Sequence, residues 1–429
     1  MTTIFAEGLA EAAIDPGTKR EAIRAAIEQA GDVSRTLVLP PDASRPHSDA
    51  GTLTRLLYEE IGQHAEFHVM PALGTHHAMG RDEIRRMFGE DIPADAFLEH
   101  RWRRDLVRLG TVPSSYVHQV SDGVLSGTMP DYDIPVEVNQ ILLEGGYTAI
   151  FSVGQVVPHE VAGMANGFKN ILVGAGGQHT INLTHFLGAS YGMERMMGRA
   201  DTPVRAVFNY AHDNYLAELG IVYVLSVMAI DERGEMAMKG LYVGDDHKTF
   251  SQAAQLSQKV NVTLLEGAPA RVVAYLDPAE FTSTWLGNKA IYRTRMAIAD
   301  GGELLVIAPG VNAFGEDAEI GRLIRRYGYR GTPATLEAVA QNADLRENLS
   351  AAAHLIHGSS EGRFRIVYAT DPANLSREEV EAVGFEWRDV SEVLRAYDPA
   401  TLRDGPNEGF YYVGCPAMGL WSTRDKFAS

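Results

Sequence analysis

Short apolar runs, each ending on a proline, a glycine or a polar group, organise the first part of the chain. The run RTLVL at 35–39 reads as a short buried strand that stops at Pro40-Pro41. A helical stretch at 52–62 follows, then a strand-like run at 66–70 and a helix at 81–88. Strands that alternate with helices in this way predict an α/β layer with parallel strands. Further on, 221–230 and 235–243 pattern as paired strands joined by the turn DERGE, followed by a helix near 249–259 and a strand at 271–276. The stretch DPAEFTSTW at 277–285 reads as a boundary, with a helix starting at about Gly287. Beyond it the alternation restarts. ELLVIA at 303–308 is a buried strand and 365–369 a later one. Between them Ile320, Leu323, Ile324 and Tyr327 recur at the i, i+3, i+4, i+7 spacing of one apolar helix face. The pattern therefore predicts two mixed α/β domains, 1–280 and 281–429, each with Rossmann-like strand–helix alternation.

Length agrees with two domains, since 429 residues exceed what one simple core encloses. Composition narrows the class. Hydrophobic residues are 45% and charged residues 22%, as in soluble globular proteins. No apolar run approaches the roughly 20 residues that a bilayer crossing needs. The opening MTTIFAEGLAEAAIDPGTKR carries acids early and lacks a basic n-region with an apolar block, so no secretory signal is expected. A net charge of −18 disfavours nucleic-acid binding, which needs basic surface to displace counterions. The single cysteine, Cys415, excludes an intrachain disulfide and a multi-thiolate metal site. A reducing cytoplasm is the simplest setting, and imidazole or carboxylate groups are the expected ligands of any metal.

Chemistry gathers at strand exits. In α/β sheets ligands bind outside the carboxyl ends of strands. The first exit, RTLVLPPDASRP, presents Asp42 and Arg45. The second, FHVMPALGTHHAMG, presents Thr75, His76 and His77, and the third, YTAIFSVGQVVPHE, ends on His159. Each alone reads equally as a loop salt bridge, loop surface or a strand terminator. What singles them out is the recurrence at three exits. His159 opens the segment PHEVAGMANGFKN, and Lys169 follows ten positions later (169 − 159) after a Gly/Ala-rich stretch. Glycines at 163, 167, 174, 176 and 177 lack a Cβ and so permit close backbone approach to a ligand. Gly174-Ala175-Gly176-Gly177 is similar to a phosphate-binding turn but lacks the full G-x-G-x-x-G spacing. His179 and His185 lie just beyond, at the start of a helical stretch.

The combination D-x-x-R-P, G-T-H, P-H-E and G-F-K, with a histidine sixteen positions after the lysine (185 − 169), resembles the nickel-pincer lactate racemase family. The resemblance spans most of the chain and is densest from Asp42 through His185. It implies two α/β domains with a cofactor cleft between them. It also implies a nickel-pincer nucleotide: a pyridinium mononucleotide with a 3-thioamide, a 5-thiocarboxylic acid and a carbon–nickel bond. Lys169 would tether that cofactor through the thioamide and His185 would complete nickel coordination. His76 and His159 would be the acid/base pair, with Asp42 and Arg45 at the cofactor, Arg45 near the phosphate or the substrate. The implied activity is racemisation or epimerisation of a small 2-hydroxy acid. Removing a proton from that carbon directly is difficult, because hydroxyl and carboxylate stabilise a carbanion poorly. Reversible hydride transfer to a cofactor avoids it by passing through a flat 2-keto acid. Each enantiomer then needs its own base at the hydroxyl, and imidazole suits that role. Imidazole also suits nickel. The enzymes that make the cofactor are implied partners.

The second domain departs from the pattern. The family has Tyr-Gln-x-x-Lys at the helix gripping the substrate carboxylate. Here YRTRM keeps Tyr292, puts Arg293 for the glutamine and Met296 for the lysine. Arg293 or Arg295 is then the candidate carboxylate clamp, the alternative being solvated arginines on a helix face. The change points to a 2-hydroxy acid other than lactate, with additional polar groups. The lysine loop is also shorter than the family's, reading G-F-K directly. Three rival readings remain at this stage. One is a nicotinamide-dependent 2-hydroxy acid dehydrogenase, which lacks a complete glycine fingerprint and the strand-terminal acid beyond it. Another is a cofactor-free binding protein on the same fold, which has no need of Lys169, His185, His76 and His159 together. The third, a mononuclear metallohydrolase, leaves Lys169 unexplained.

Overall fold

The computed structural model describes residues 3–231 and 234–428. It divides into two compact units, each mixed α/β. One comprises the chain up to Gly123 with Asp131–Thr184 and Gly198–Asn261; the other holds Val124–Pro130, His185–Met197 and the chain from Val262 onward.

The first unit is built on a six-stranded sheet. Across it run Thr3–Gly8, Met236–Gly244, Val222–Ile230, Ala149–Gln155, Arg35–Leu39 and Glu66–Val69, in that order. The last four are mutually parallel, and Val38 sits opposite both Val69 and Phe151. The hairpin 222–230/236–244 and the edge strand Thr3–Gly8 are antiparallel. The paired strands read from the sequence are therefore present, within a sheet that is mixed rather than wholly parallel. Of the turn DERGE, residues 232 and 233 lie outside the described residues. Helices Pro16–Ala30 and Ala50–Ile61 cover one face, packing Ile23, Leu53 and Leu57 against Val38, Phe151 and Val224. Burying each such side chain contributes on the order of 2 kcal/mol.

The second unit has its own six-stranded sheet, ordered Glu386–Asp389, Arg365–Thr370, Glu303–Ile307, Arg271–Tyr275, Phe410–Val413 and Gly405–Asn407. All neighbours are parallel except the last pair. Val273 aligns with Leu305, and Leu305 with Val367, in the middle of this sheet. That register explains why the units part at 261/262, ahead of the 280/281 break expected from the sequence. The strand Arg271–Tyr275 hydrogen-bonds to Glu303–Ile307, so it belongs to the second sheet although it precedes the loop that reads as a boundary. Among the described residues no helix is long and apolar enough to cross a membrane.

Candidate active site

Two neighbouring strand exits begin the site. Past Arg35–Leu39 and Glu66–Val69 the backbones keep their parallel pairing for one more step, with Pro41 bridged to Ala72 and the Ala72 N–H donating to Pro40 O at 2.8 Å. The loops that follow therefore start side by side. One carries Asp42 and the other His76, and Asp42 Oδ2 lies 2.7 Å from His76 Nδ1. Asp42 is buried, whereas the His76 side chain is 65% exposed. Burial alone raises the Asp42 pKa. The hydrogen bond and positive character of His76, with two donors from Ser44, outweigh it and hold the carboxyl below its ordinary value. An ionised carboxylate only accepts, so Nδ1 carries the proton and Nε2 of the neutral ring is left as the basic nitrogen.

The third exit is shaped differently. After Ala149–Gln155 the chain forms a small antiparallel arm in which Pro158 pairs with Met164 and His159 with Gly163. Gly163 closes it at φ +77°, a region that favours glycine. His159 is buried, and its Nδ1 accepts the Val161 N–H at 3.1 Å. With Nδ1 accepting, the neutral ring places its proton on Nε2. The two histidines named as an acid/base pair are thus held in opposite tautomers, Nδ1–H in His76 and Nε2–H in His159.

The lysine segment is fastened from several sides. Asn166 and Gly167 take φ +62° and +61°, turning the loop sharply. Arg205, only 4% exposed, donates from Nη2 to Met164 O at 2.7 Å and from Nη1 to Asn166 O at 3.0 Å. Its guanidinium lies over the Phe250 ring, 3.9 Å from the centroid. On the other side Asn170 Nδ2 donates to Leu39 O at 2.9 Å and Ser152 Oγ at 3.0 Å, tying the residue after Lys169 to the ends of two strands. A single π-helical turn, Asn170–Gly174, follows, closed by the Ala175 N–H on Asn170 O. Such turns are rare and concentrate at functional sites. Lys169 has its pKa brought down to about 8, first by burial and then by the nearby Arg45 and Arg205 cations, against the opposing Glu160 and Asp42. The four motif residues Asp42, Arg45, His76 and Lys169 are therefore brought together within one unit.

The glycines do other work than the sequence indicated. A Cβ at Gly174 would meet that of Ala72, at Gly176 the Leu172 carbonyl, and at Gly177 the Glu137 side chain. They permit protein-on-protein packing instead of leaving room for a ligand, and Gly174–Gly177 forms no phosphate cradle. Their carbonyls act as anchors: Gly174 O accepts the Gly74 N–H at 2.8 Å, and Gly176 O contacts His100 Nε2 at 3.1 Å. His100, fully buried, is held at its other nitrogen by Asn139 Nδ2 at 2.9 Å. Desolvation lowers its pKa and keeps it neutral, although the Gly176 carbonyl and Asp105 oppose this. Arg205, Asn170, His100 and Asn139 escaped the sequence reading. Only Asn170 carried a local signal, as the polar residue next to Lys169.

The remaining candidates lie elsewhere. His185 is partly buried on the helix Gln178–Tyr191, whose residues divide between the units at 184/185. Exposed His179 faces Glu137 Oε1 at 3.4 Å. In the second unit Tyr292 and Met296 are buried in an apolar cluster with Met193, Met197 and Leu420, so Met296 is a core side chain. Arg295 is 2% exposed and committed to Glu194 at 3.3 Å and Ser359 O at 3.2 Å. Arg293 is also buried, with Nη1 3.4 Å from Gly419 O. Neither arginine is the solvated helix-face residue of the alternative reading. Among the described residues no group of three or more His, Cys, Asp or Glu is placed to hold a metal.

The model of the lactate racemase N-terminal domain matches residues 6–196, a stretch that contains every motif residue from Asp42 to His185. Among curated proteins none matches. A crystal structure of a Thermotoga maritima protein superposes with TM-score 0.79 at 22% identity, covering 96% of this chain and 100% of that one. The lactate racemase apoprotein of Thermoanaerobacterium thermosaccharolyticum superposes with TM-score 0.69 at 16% identity, covering 94% of this chain and 92% of that one. Residues 6–196 therefore match the lactate racemase N-terminal domain, and the chain shares its fold with the lactate racemase apoprotein.

Proposed function

We propose that this protein is a 2-hydroxy acid racemase or epimerase, an isomerase that works with a lysine-tethered nickel-pincer nucleotide. The observation that carries the proposal is the meeting of the Asp42–His76 pair with Lys169 and Arg45. The residues present fit such a group at its anchor. An amine with a pKa of about 8 has a much larger neutral, nucleophilic fraction at physiological pH than an ordinary lysine, which suits a covalent acyl-type link. Arg45, in electrostatic reach of that amine, supplies a cation for a phosphate or a carboxylate. The bound group would accept a hydride from the substrate and return it. A metal carried by the nucleotide's own donors needs few protein ligands, and His185 is the imidazole assigned to it.

The chain's own part is proton handling. His76 presents Nε2 as a base for the hydroxyl of one enantiomer, while Asp42 fixes the ring and favours the imidazolium that forms. His159, whose Nδ1 accepts the Val161 N–H, offers Nε2 to the substrate; it would give up a proton there as imidazolium and return to the neutral ring. A reaction that deprotonates a hydroxyl on one side and reprotonates an oxygen on the other needs one of the two rings neutral and the other protonated, with the roles exchanged for the opposite enantiomer.

Intact mass spectrometry and metal analysis of protein made together with the cofactor-synthesis enzymes provide the test. A lysine-linked adduct at Lys169 with about one nickel, and racemisation of a 2-hydroxy acid slowed by Cα deuteration without exchange into solvent, is the expected result. A folded protein of unmodified mass under those conditions would reject the proposal in favour of a cofactor-free binding role.

A further inference from the structure

The turn that follows His100 presents Arg101, Trp102, Arg103 and Arg104, and it borders a pocket of about 410 Å³ that also includes His76 and His77. The turn is rigidly mounted. His100 is locked to Gly176 and Asn139, the Arg104 N–H donates to Arg101 O at 2.8 Å, and the Gln140 N–H donates to Asp105 O at 2.8 Å. The backbone of the turn is thus tied to the same carbonyl row, Gly174–Gly176, that holds the Gly-Thr-His loop.

The charge of the pocket is unusual for this chain. Three guanidinium groups face one carboxylate, Glu99, in a protein of net charge −18. Arg101 pairs with Asp105 at 2.7 Å, and Arg103 lies over the Trp102 ring at 3.6 Å. Arg104 has no carboxylate in ion-pair range among the described residues. A positive recess in an acidic protein concentrates anions and repels nothing that lactate alone would need repelled. A single carboxylate requires one bidentate partner, and the pocket offers more cations than that.

We infer that this pocket receives a second acidic group, a carboxylate or phosphate, so that the substrate is a 2-hydroxy acid bearing a further anionic group. The inference rests on the racemase reading for the word substrate, whereas the anion pocket stands independently of it. The other source of the same chemistry is the phosphate of the nucleotide.

Trp102 makes the pocket observable without turnover. Titrations of wild type, Arg104→Ala and Trp102→Phe with malate, lactate and nicotinic acid mononucleotide, followed by tryptophan emission, separate the cases. The same titrations are run on protein made with and without the cofactor-synthesis enzymes. Malate is expected to bind at least tenfold more tightly than lactate, with a quench missing in Trp102→Phe. Arg104→Ala should cut malate affinity about tenfold, leave lactate unchanged, and weaken with added salt in parallel. Equal binding of malate and lactate, no binding of either, or indifference to Arg104→Ala overturns the inference. Tighter, Arg104-dependent binding of the mononucleotide to unloaded protein, with no preference for malate once loaded, overturns the substrate assignment. Arg104-dependent malate binding by loaded protein that racemises no 2-hydroxy acid rejects the racemase reading and keeps the pocket.

Discussion

Asp42 and His76 are separated by 34 positions in the chain and by 2.7 Å across a hydrogen bond. The pair makes His76 a base with a set direction, because the buried carboxylate takes Nδ1–H and leaves Nε2 for chemistry. Replacing Asp42 by Asn removes the charge that favours imidazolium and permits the wrong tautomer. Turnover should fall roughly 10²-fold or more, while the mass added by the cofactor adduct stays unchanged. Steady-state kinetics with intact mass spectrometry would show it; unaltered kcat would mean that Asp42 serves structure alone.

The lowered Asp42 pKa also predicts an acid limb of stability. A folded-state pKa below 3.8 means the native protein holds its proton less well than the unfolded chain. Its stabilising effect is complete above pH 4 and disappears as pH falls through the folded value. Asp42→Asn should therefore flatten the loss of stability below about pH 4 in acid-denaturation curves.

Lys169 behaves oppositely. Its pKa falls from 10.5 to about 8, so the unfolded chain binds more protons between those values and stability rises with pH across that window. Below pH 8 the full penalty of holding a partly buried ammonium is present. Lys169→Met should raise the melting temperature of the unloaded protein at pH 7, with the gain fading towards pH 10.5. Labelling by an amine reagent should show Lys169 reacting with a midpoint near pH 8, well ahead of surface lysines.

Arg205 is expected to act on the lysine from behind. Arg205→Met leaves Met164 O and Asn166 O without their donors, each loss costing about 1–3 kcal/mol, and removes a cation that depresses Lys169. A lower melting temperature together with an upward shift of the labelling midpoint is the expected signature. Arg205→Lys, which keeps charge but cannot span both carbonyls, should restore the midpoint better than the stability.

Arg295 tests the second unit. It shares Glu194 with Arg363, which lies 2.6 Å from the same carboxylate oxygen. Arg295→Met should destabilise by roughly 2 kcal/mol, less than a fully orphaned buried pair because Arg363 remains to neutralise Glu194. Thermal denaturation measures this, and KM should stay unaltered; a raised KM without loss of stability would make Arg295 a substrate ligand.

Local pattern was enough to find the parallel strands 35–39, 66–69 and 149–155 and the polar groups at their exits, because period and turn chemistry are set by residues a few positions apart. It was enough, too, to offer Asp42, Arg45, His76, His77, His159 and Lys169 as candidates, among which the family resemblance chose. Tertiary structure alone decided what those residues do to one another. Sheet order puts the exit at 40–42 beside that at 70–76, and it moves the strand Arg271–Tyr275 into the second sheet. Packing turns Gly174, Gly176 and Gly177 from apparent ligand space into backbone contacts, and burial with two arginines pulls Lys169 down to about 8. Hydrogen bonds such as Asn170 to Leu39, 131 positions away, and desolvation by side chains from distant helices leave no periodic trace in the chain. They exist only once the sheet has chosen which strands are neighbours.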